Sequence, residues 1–389
     1  MYSNYKILNL NARSSPPQDK ESFPTVKQPQ RIGEYSLSPE GHFENSPVRL
    51  CFLTQLGPST FPFALNASGE AMNSEQSFSK PRYLDNLFYF LRCSMDKFIK
   101  RHEKGHLQVD ADIVCSRETL QLMMCAPYEY KNNWTLAVSK YRNTIYICPV
   151  PNAERPQSIF DAEHLKKLMM DHWMAKLRQR CLVAMAPISD DDIVQPGSYQ
   201  QKDLNGQYYC VFCIDICGLH VLFDAPILAE HCPNPFFGLP KTFVDLRMRL
   251  DTMSRTEWSA HNRKDVLKWW VESFLVGIEK VYIAYHDKEG YVQKIKHTMV
   301  RELWRECDND WSPNICGNFM RRLLGSIQLL MANVDSASTV YLLEYDSKNG
   351  NITYKYSKER NEHSFIPDWF RILMEEHMDH LNAQVRYQI

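Results

Sequence analysis

Apolar positions recur with two periods along this chain, and the switches between them outline its elements. From Pro81 to Lys100, the residues Tyr83, Leu87, Phe90, Leu91, Met95 and Phe98 fall at helical spacing, which places an apolar stripe along one side of a helix. Further helices are predicted over Ile159 to Leu182, Arg263 to Leu275, Pro313 to Met331 and Asp368 to Leu381. Runs rich in β-branched and aromatic residues predict strands over Thr135 to Val138, Thr144 to Ile147, Tyr208 to Ile214 and His220 to Phe223. Three more are predicted over Thr242 to Leu246, Val281 to Tyr285 and Tyr291 to Ile295. Asn349-Gly350 separates Tyr341 to Tyr345 from Ile352 to Tyr356, and both turn residues tolerate positive φ, so the pair reads as a hairpin. Hairpins mix with helices rather than alternating strictly with them, which predicts an α+β fold with mixed β-sheets.

Polar stretches mark what lies outside the core. Residues 1–30 mix Ser, Pro, Gln, Asn and charge and cannot bury enough apolar area to offset ordering entropy, so they read as a flexible arm. Asn66 to Lys80 and Ser189 to Asn205 read as surface loops. No internal repeat is present.

With 389 residues, 44% of them hydrophobic, the chain can bury a large core. Lys+Arg 45 against Asp+Glu 46 leave a net charge of -1, so contact with a nucleic acid would need a local basic patch. Twelve cysteines scattered through apolar segments fit a reducing compartment. No signal core and no apolar run long enough for a membrane span is seen, so no membrane partner is expected.

Several motifs carry less than they suggest. His102-Glu103-Lys104-Gly105-His106 matches a zinc-protease pattern that needs a continuous helix, and Gly105 sits inside it. Cys210, Cys213 and Cys217 resemble a metal knuckle, but strand periodicity puts Cys210 and Cys213 on opposite faces, so they read as core thiols. The sequons at Asn133 and Asn351 lack a secretory route. Trp269-Trp270 reads as helix core, with base stacking as the alternative.

The most informative stretch is Phe243-Val244-Asp245-Leu246-Arg247, followed by Trp258 and then Leu267-Lys268-Trp269-Trp270-Val271-Glu272-Ser273-Phe274-Leu275. Arg31-Ile32-Gly33-Glu34-Tyr35, Ile113-Val114-Cys115-Ser116-Arg117, Pro127-Tyr128-Glu129, Trp134-Thr135-Leu136-Ala137 and Asp310-Trp311-Ser312-Pro313 add ordered blocks. Together they resemble the signature of the DXO family of RNA 5′-end decapping exonucleases. The blocks run without a linker, so the resemblance implies one DXO-like domain over residues 31–389, its sheets flanked by helices around a central cleft.

In that family, the resemblance implies, four acidic residues hold two divalent cations beside the RNA 5′ end. The matching positions here are altered. Arg117 retains an arginine that contacts RNA, whereas Lys176 stands where the first acid would be and Pro226 and Leu228 replace two more. Asp245-Leu246-Arg247 shortens a Glu-apolar-Lys element, and Glu272 replaces a glutamine. One carboxylate in four cannot hold the ions, so no metal, no cofactor and no catalysis are expected. Two alternatives stay open: another acid such as Asp215 or Asp224 serves as a displaced ligand of an active decapping enzyme, or the centre is inactive. An inactive centre either satisfies itself through ion pairs or holds an RNA phosphate on Arg117, Lys176 and Arg247. The chain resembles most the germline branch of the family with eroded metal sites. That implies a nuclear, non-catalytic role in transcription of piRNA-source loci, with a heterochromatin-associated protein complex and nascent RNA as partners. The RNA would be protected from 5′-end processing, termination or splicing.

Overall fold

The computed structural model describes residues 2–13, 21–54, 58–66, 84–101, 106–151, 162–184, 206–231 and 242–375. The predicted loop Asn66 to Lys80 beyond Asn66, the predicted loop Ser189 to Asn205, residues 102–105 of the His102 to His106 motif, and residues 159–161 and 376–381 of the predicted helices lie outside them.

Strands predicted from short β-rich runs assemble into two mixed sheets. The ten-stranded sheet runs in the order Lys6–Asn11, Asn351–Ser357, Ser336–Asp346, Trp134–Tyr141, Thr144–Val150, Ile113–Ser116, Leu219–Ile227, Gln207–Ile216, Gln30–Leu37 and Phe43–Glu44. Ile113–Ser116 lies parallel to both of its neighbours, and the other pairs are antiparallel. The seven-stranded sheet runs Leu182–Ala184, Cys51–Leu53, Ala229–Glu230, Phe243–Leu250, Lys280–His286, Tyr291–Met299 and Phe63–Ala64. Phe243–Leu250 and Lys280–His286 are parallel, so the chain between them must cross over, and it does so as helices. The chain passes from one sheet to the other at Ile227 to Ala229.

Helices fill three layers. Asp85–Cys93 and the helix over 368–375 cover one face of the large sheet, with Leu87, Phe88, Leu91 and Phe370 buried against Tyr35, Tyr146 and Leu342. Arg117–Cys125, Leu267–Val276 and Pro313–Leu330 pack on its other face and join its core to Phe243, Val281 and Ile283 of the small sheet. Ala162–Cys181 covers the far face of the small sheet through Trp173 and Leu177. The fold is α+β, as expected, and one continuous core spans both sheets.

Three expectations are corrected. The segment read as a flexible arm contains the strand Lys6–Asn11, paired antiparallel with Asn351–Ser357, and Arg13 donates to the Glu129 and Lys348 carbonyls at 2.9 and 2.6 Å. Phe23 packs at 5.4 Å edge-on against Phe274, and Val26 bridges Ile216. Composition missed this because an edge strand is held by backbone bonds, which need little apolar content. The helix predicted to reach Lys100 stops at Cys93, and after the short helix Met95–Phe98 the chain becomes strand Ile99–Arg101, paired with Leu107–Val109. The helix predicted to begin at Arg263 begins at Arg255, interrupted by a π turn over Asn262–Val266.

Candidate functional site

Strand alternation sorts Phe243–Leu250 into two rows. Val244, Leu246 and Met248 face the layer of Ala162–Cys181, while Phe243, Asp245 and Arg247 turn toward the helices between the sheets. Asp245 and Arg247, two residues apart, therefore share a face. The Arg247 Nε donates to Asp245 Oδ2 at 2.7 Å, and Asp245 Oδ1 accepts from the Leu246 N–H at 2.9 Å. Asp245 is 9% exposed, so both carboxylate oxygens are committed within the fold.

The helix Leu267–Val276 supplies the second acid. Trp269, Trp270 and Leu275 are buried, with Trp270 stacked on Phe274 at 5.2 Å and 5.3 Å from Trp311, which bears out the core reading of the tryptophan pair. Gly277 adopts φ 71° and closes the helix, its N–H and that of Ile278 returning to Phe274 and Ser273. Anchored so, the helix aims Glu272 at the strand, and Arg247 donates to Glu272 Oε2 at 2.5 Å. One guanidinium thus bridges two carboxylates, the fork geometry that arginine provides and lysine does not.

Arg117 opens the helix Arg117–Cys125, whose N-cap Ser116 accepts from the Thr119 N–H. Burial pulls its guanidinium below the ordinary range, opposed by Glu272 and Asp245. It makes no hydrogen bond or ion pair with a described residue. Burial pushes the Glu272 carboxyl up, yet Arg247, Arg117 and Lys268 outweigh it and hold the group below its usual range. Burial disfavours charge on Arg247 too, but Asp245 and Glu272 reverse the balance and keep it firmly protonated.

The structure thus brings Arg117, Asp245, Arg247 and Glu272 together. Lys176 is half-buried on the helix that packs against Leu246 and Met248, the opposite row of the strand, and is not among the hydrogen-bond or ion-pair partners of Asp245 or Glu272. Pro226 is exposed and Leu228 packs among Val244 and Leu246 at the crossover between sheets.

The two other candidate acids are also engaged. Asp215 caps the hairpin turn by accepting from Gly218 and pairs with Lys27 at 2.7 Å. Asp224 is buried beside the Arg117 helix, accepts from the Tyr35 hydroxyl at 2.7 Å, and is pushed up to about 6 by burial, against the Tyr35 hydrogen bond and Arg117. Cys210 is buried, Cys213 half-buried, and Cys217 exposed in the turn at φ 53°.

A two-metal centre needs several carboxylates converging on one point with free oxygens. These residues do not fit one. Of Lys176, Pro226, Leu228 and Asp245, only the last is acidic, and Arg247 occupies it; among the described residues no three His, Cys, Asp or Glu side chains converge. No helix of the described residues is long and apolar enough to cross a membrane.

The chain matches the profile of RAI1-like PD-(D/E)XK nucleases over residues 27–371. It is 39% identical over 97% of its length, and 96% of the relative's, to "Protein cutoff" of Drosophila melanogaster. Identity to the "Decapping and exoribonuclease protein" of Bos taurus is 27%, over 90% of this chain and 85% of that one. Among solved structures, Candida albicans Rai1 in complex with pU5-Mn2+ superposes with a TM-score of 0.71 at 16% identity, covering 97% of this chain and 100% of that one.

Proposed function

Because the chain belongs to the RAI1-like PD-(D/E)XK nuclease family, we propose that it is a member that no longer cleaves RNA and acts in the nucleus on transcription of germline piRNA-source loci. The observation that carries the loss of cleavage is that, of the four positions Lys176, Pro226, Leu228 and Asp245, only Asp245 is acidic, and its carboxylate is already bound by Arg247 and the Leu246 N–H. A single carboxylate already engaged within the fold is too few to hold two divalent cations. The identity to Protein cutoff supports the non-catalytic germline role, with nascent RNA and a heterochromatin-associated complex as partners and protection of RNA from 5′-end processing, termination or splicing as the outcome.

Of the two inactive arrangements, the ion pairs favour a centre that satisfies itself at Asp245, while the Arg117 guanidinium, which pairs with no described residue, is the cation offered to a phosphate. The test is cleavage of 5′-triphosphate, 5′-monophosphate and incompletely capped RNA with Mg²⁺ or Mn²⁺. No turnover is expected; turnover abolished by Asp245→Ala or Asp224→Ala would establish instead an active decapping enzyme with displaced ligands.

A further inference from the structure

On the row of Phe243–Leu250 that faces away from Asp245 lies a cavity of about 370 Å³, within the ~300–1,000 Å³ range of small-molecule sites. Parallel register sets Leu246 beside Tyr282 and Val244 beside Lys280, and the antiparallel neighbour sets His297 beside Tyr282. Tyr282 becomes the middle ring of three: His231 lies 5.9 Å from it and His297 5.7 Å, at tilts of 42° and 46°. Lys280, two residues before Tyr282 on the same strand, shares its face and lines the cavity. Leu53, Leu246 and Ile295 supply apolar walls.

Four polar side chains border this space. The Lys280 amine, the Tyr282 hydroxyl and the two imidazoles make no side-chain hydrogen bond or ion pair with any described residue, and no carboxylate is among the described residues that line the cavity. A metal is not the answer, since among the described residues no trio of metal-binding side chains exists. An apolar ligand would leave the amine and imidazoles unused. A row of rings with a neighbouring cation and no competing acid matches a flat heteroaromatic ring bearing an anionic group: the ring stacks and the cation takes the charge.

We infer that this cavity is a nucleotide site, built from Tyr282, His231, His297 and Lys280 and separated from the Asp245 centre by the thickness of the sheet. It takes a base on the Tyr282 ring and its phosphate on Lys280. It owes nothing to the carboxylates of the family centre, so it functions whether or not the chain cleaves RNA.

Isothermal titration of the full-length protein with adenosine 5′-monophosphate and with adenosine tests this. Saturable binding of the monophosphate is expected, weaker by about tenfold in Tyr282→Ala, the loss of one base–aromatic stack, and retained in Tyr282→Phe. Lys280→Met should remove the preference for the monophosphate over adenosine. Displacement of a fluorescent adenosine monophosphate by a short single-stranded oligoriboadenylate would assign the site to a nucleotide of an RNA strand; failure to displace it would assign it to the free nucleotide. Absence of saturable binding overturns the inference. So does binding that Tyr282→Ala and Lys280→Met leave unchanged while their thermal melts match the parent, or that Arg117→Ala abolishes in their place. Should Tyr282→Ala not fold, the Tyr282→Phe and Lys280→Met pair decides.

Discussion

Arg247 organises its surroundings because two acids with one cation between them are cheaper to bury than any one of the three alone. Removing one partner tests this. Breaking a buried pair typically costs ~3–5 kcal/mol when a charge is left isolated, but Asp245→Ala leaves Arg247 its bond to Glu272. The expected loss is therefore nearer that of charged hydrogen bonds, about 1.5–3 kcal/mol in urea unfolding; an unchanged midpoint would mean the bridge adds nothing. Asp224 carries the opposite sign. Its folded pKa of about 6 lies above the ordinary 3.8, so between those values the folded chain holds a proton that the unfolded chain has released. The stability from this group is complete below about pH 4 and is lost as pH rises through about 6. Asp224→Asn, which still accepts from Tyr35, should stabilise the protein at pH 7.5 by on the order of 1–3 kcal/mol, with the gain vanishing near pH 4. Parallel unfolding curves across that range would contradict it.

At the scale of elements, the helix Leu267–Val276 can aim Glu272 only because its end is fixed. Gly277 at φ 71° is left-handed, and a Cβ there would also meet the Pro29 ring at 3.3 Å. Gly277→Ala should cost about 1–2 kcal/mol, read by guanidinium unfolding; a loss below a few tenths would show that the cap is not under constraint. How far the elements were legible depended on length. Runs such as Trp134–Tyr141 and Lys280–His286 announced themselves by β-rich composition, whereas Phe43–Glu44 and Phe63–Ala64 are too short to carry a period and exist because a neighbour pairs with them. Two signals were present and unread. Ser116 followed by Leu120, Met123 and Met124 marks the helix Arg117–Cys125, and Ser254 with Glu257 is a capping box that dates the next helix to Arg255. In the site, the pairing of Asp245 with Arg247 follows from strand alternation, and the arrival of Glu272 from the family-like helix. The side of the sheet taken by Lys176 does not follow from sequence, since only the packing of Trp173 and Leu177 against Leu246 decides it.

At the scale of the molecule, the ten-stranded sheet ends on the chain's first strand. Lys6–Asn11 covers Asn351–Ser357, with further bonds from Ser3 to Tyr356 and from Ala12 to Gly350, yet Ile7 on it is 78% exposed. Each such bond contributes roughly 0.5–1.5 kcal/mol net, and of the strand's apolar side chains Leu8 and Leu10 are only partly buried against the core. Deleting residues 2–13 should therefore lower stability only modestly, by no more than a few kcal/mol. Its larger effect is to bare the edge of Asn351–Ser357, a row of unpaired N–H and C=O groups flanked by Tyr354 and Tyr356. Open edges of that kind pair with other chains. Concentration-dependent self-association in light scattering, absent in the full chain, is the expected outcome, and a truncated protein that stays monomeric would show that the edge needs no cover. Should the truncated form associate and still bind adenosine monophosphate as the full chain does, the strand's role is protective and the cavity beside Tyr282 is independent of it. That independence is expected, because the cavity sits on the seven-stranded sheet while the deleted strand borders the ten-stranded one.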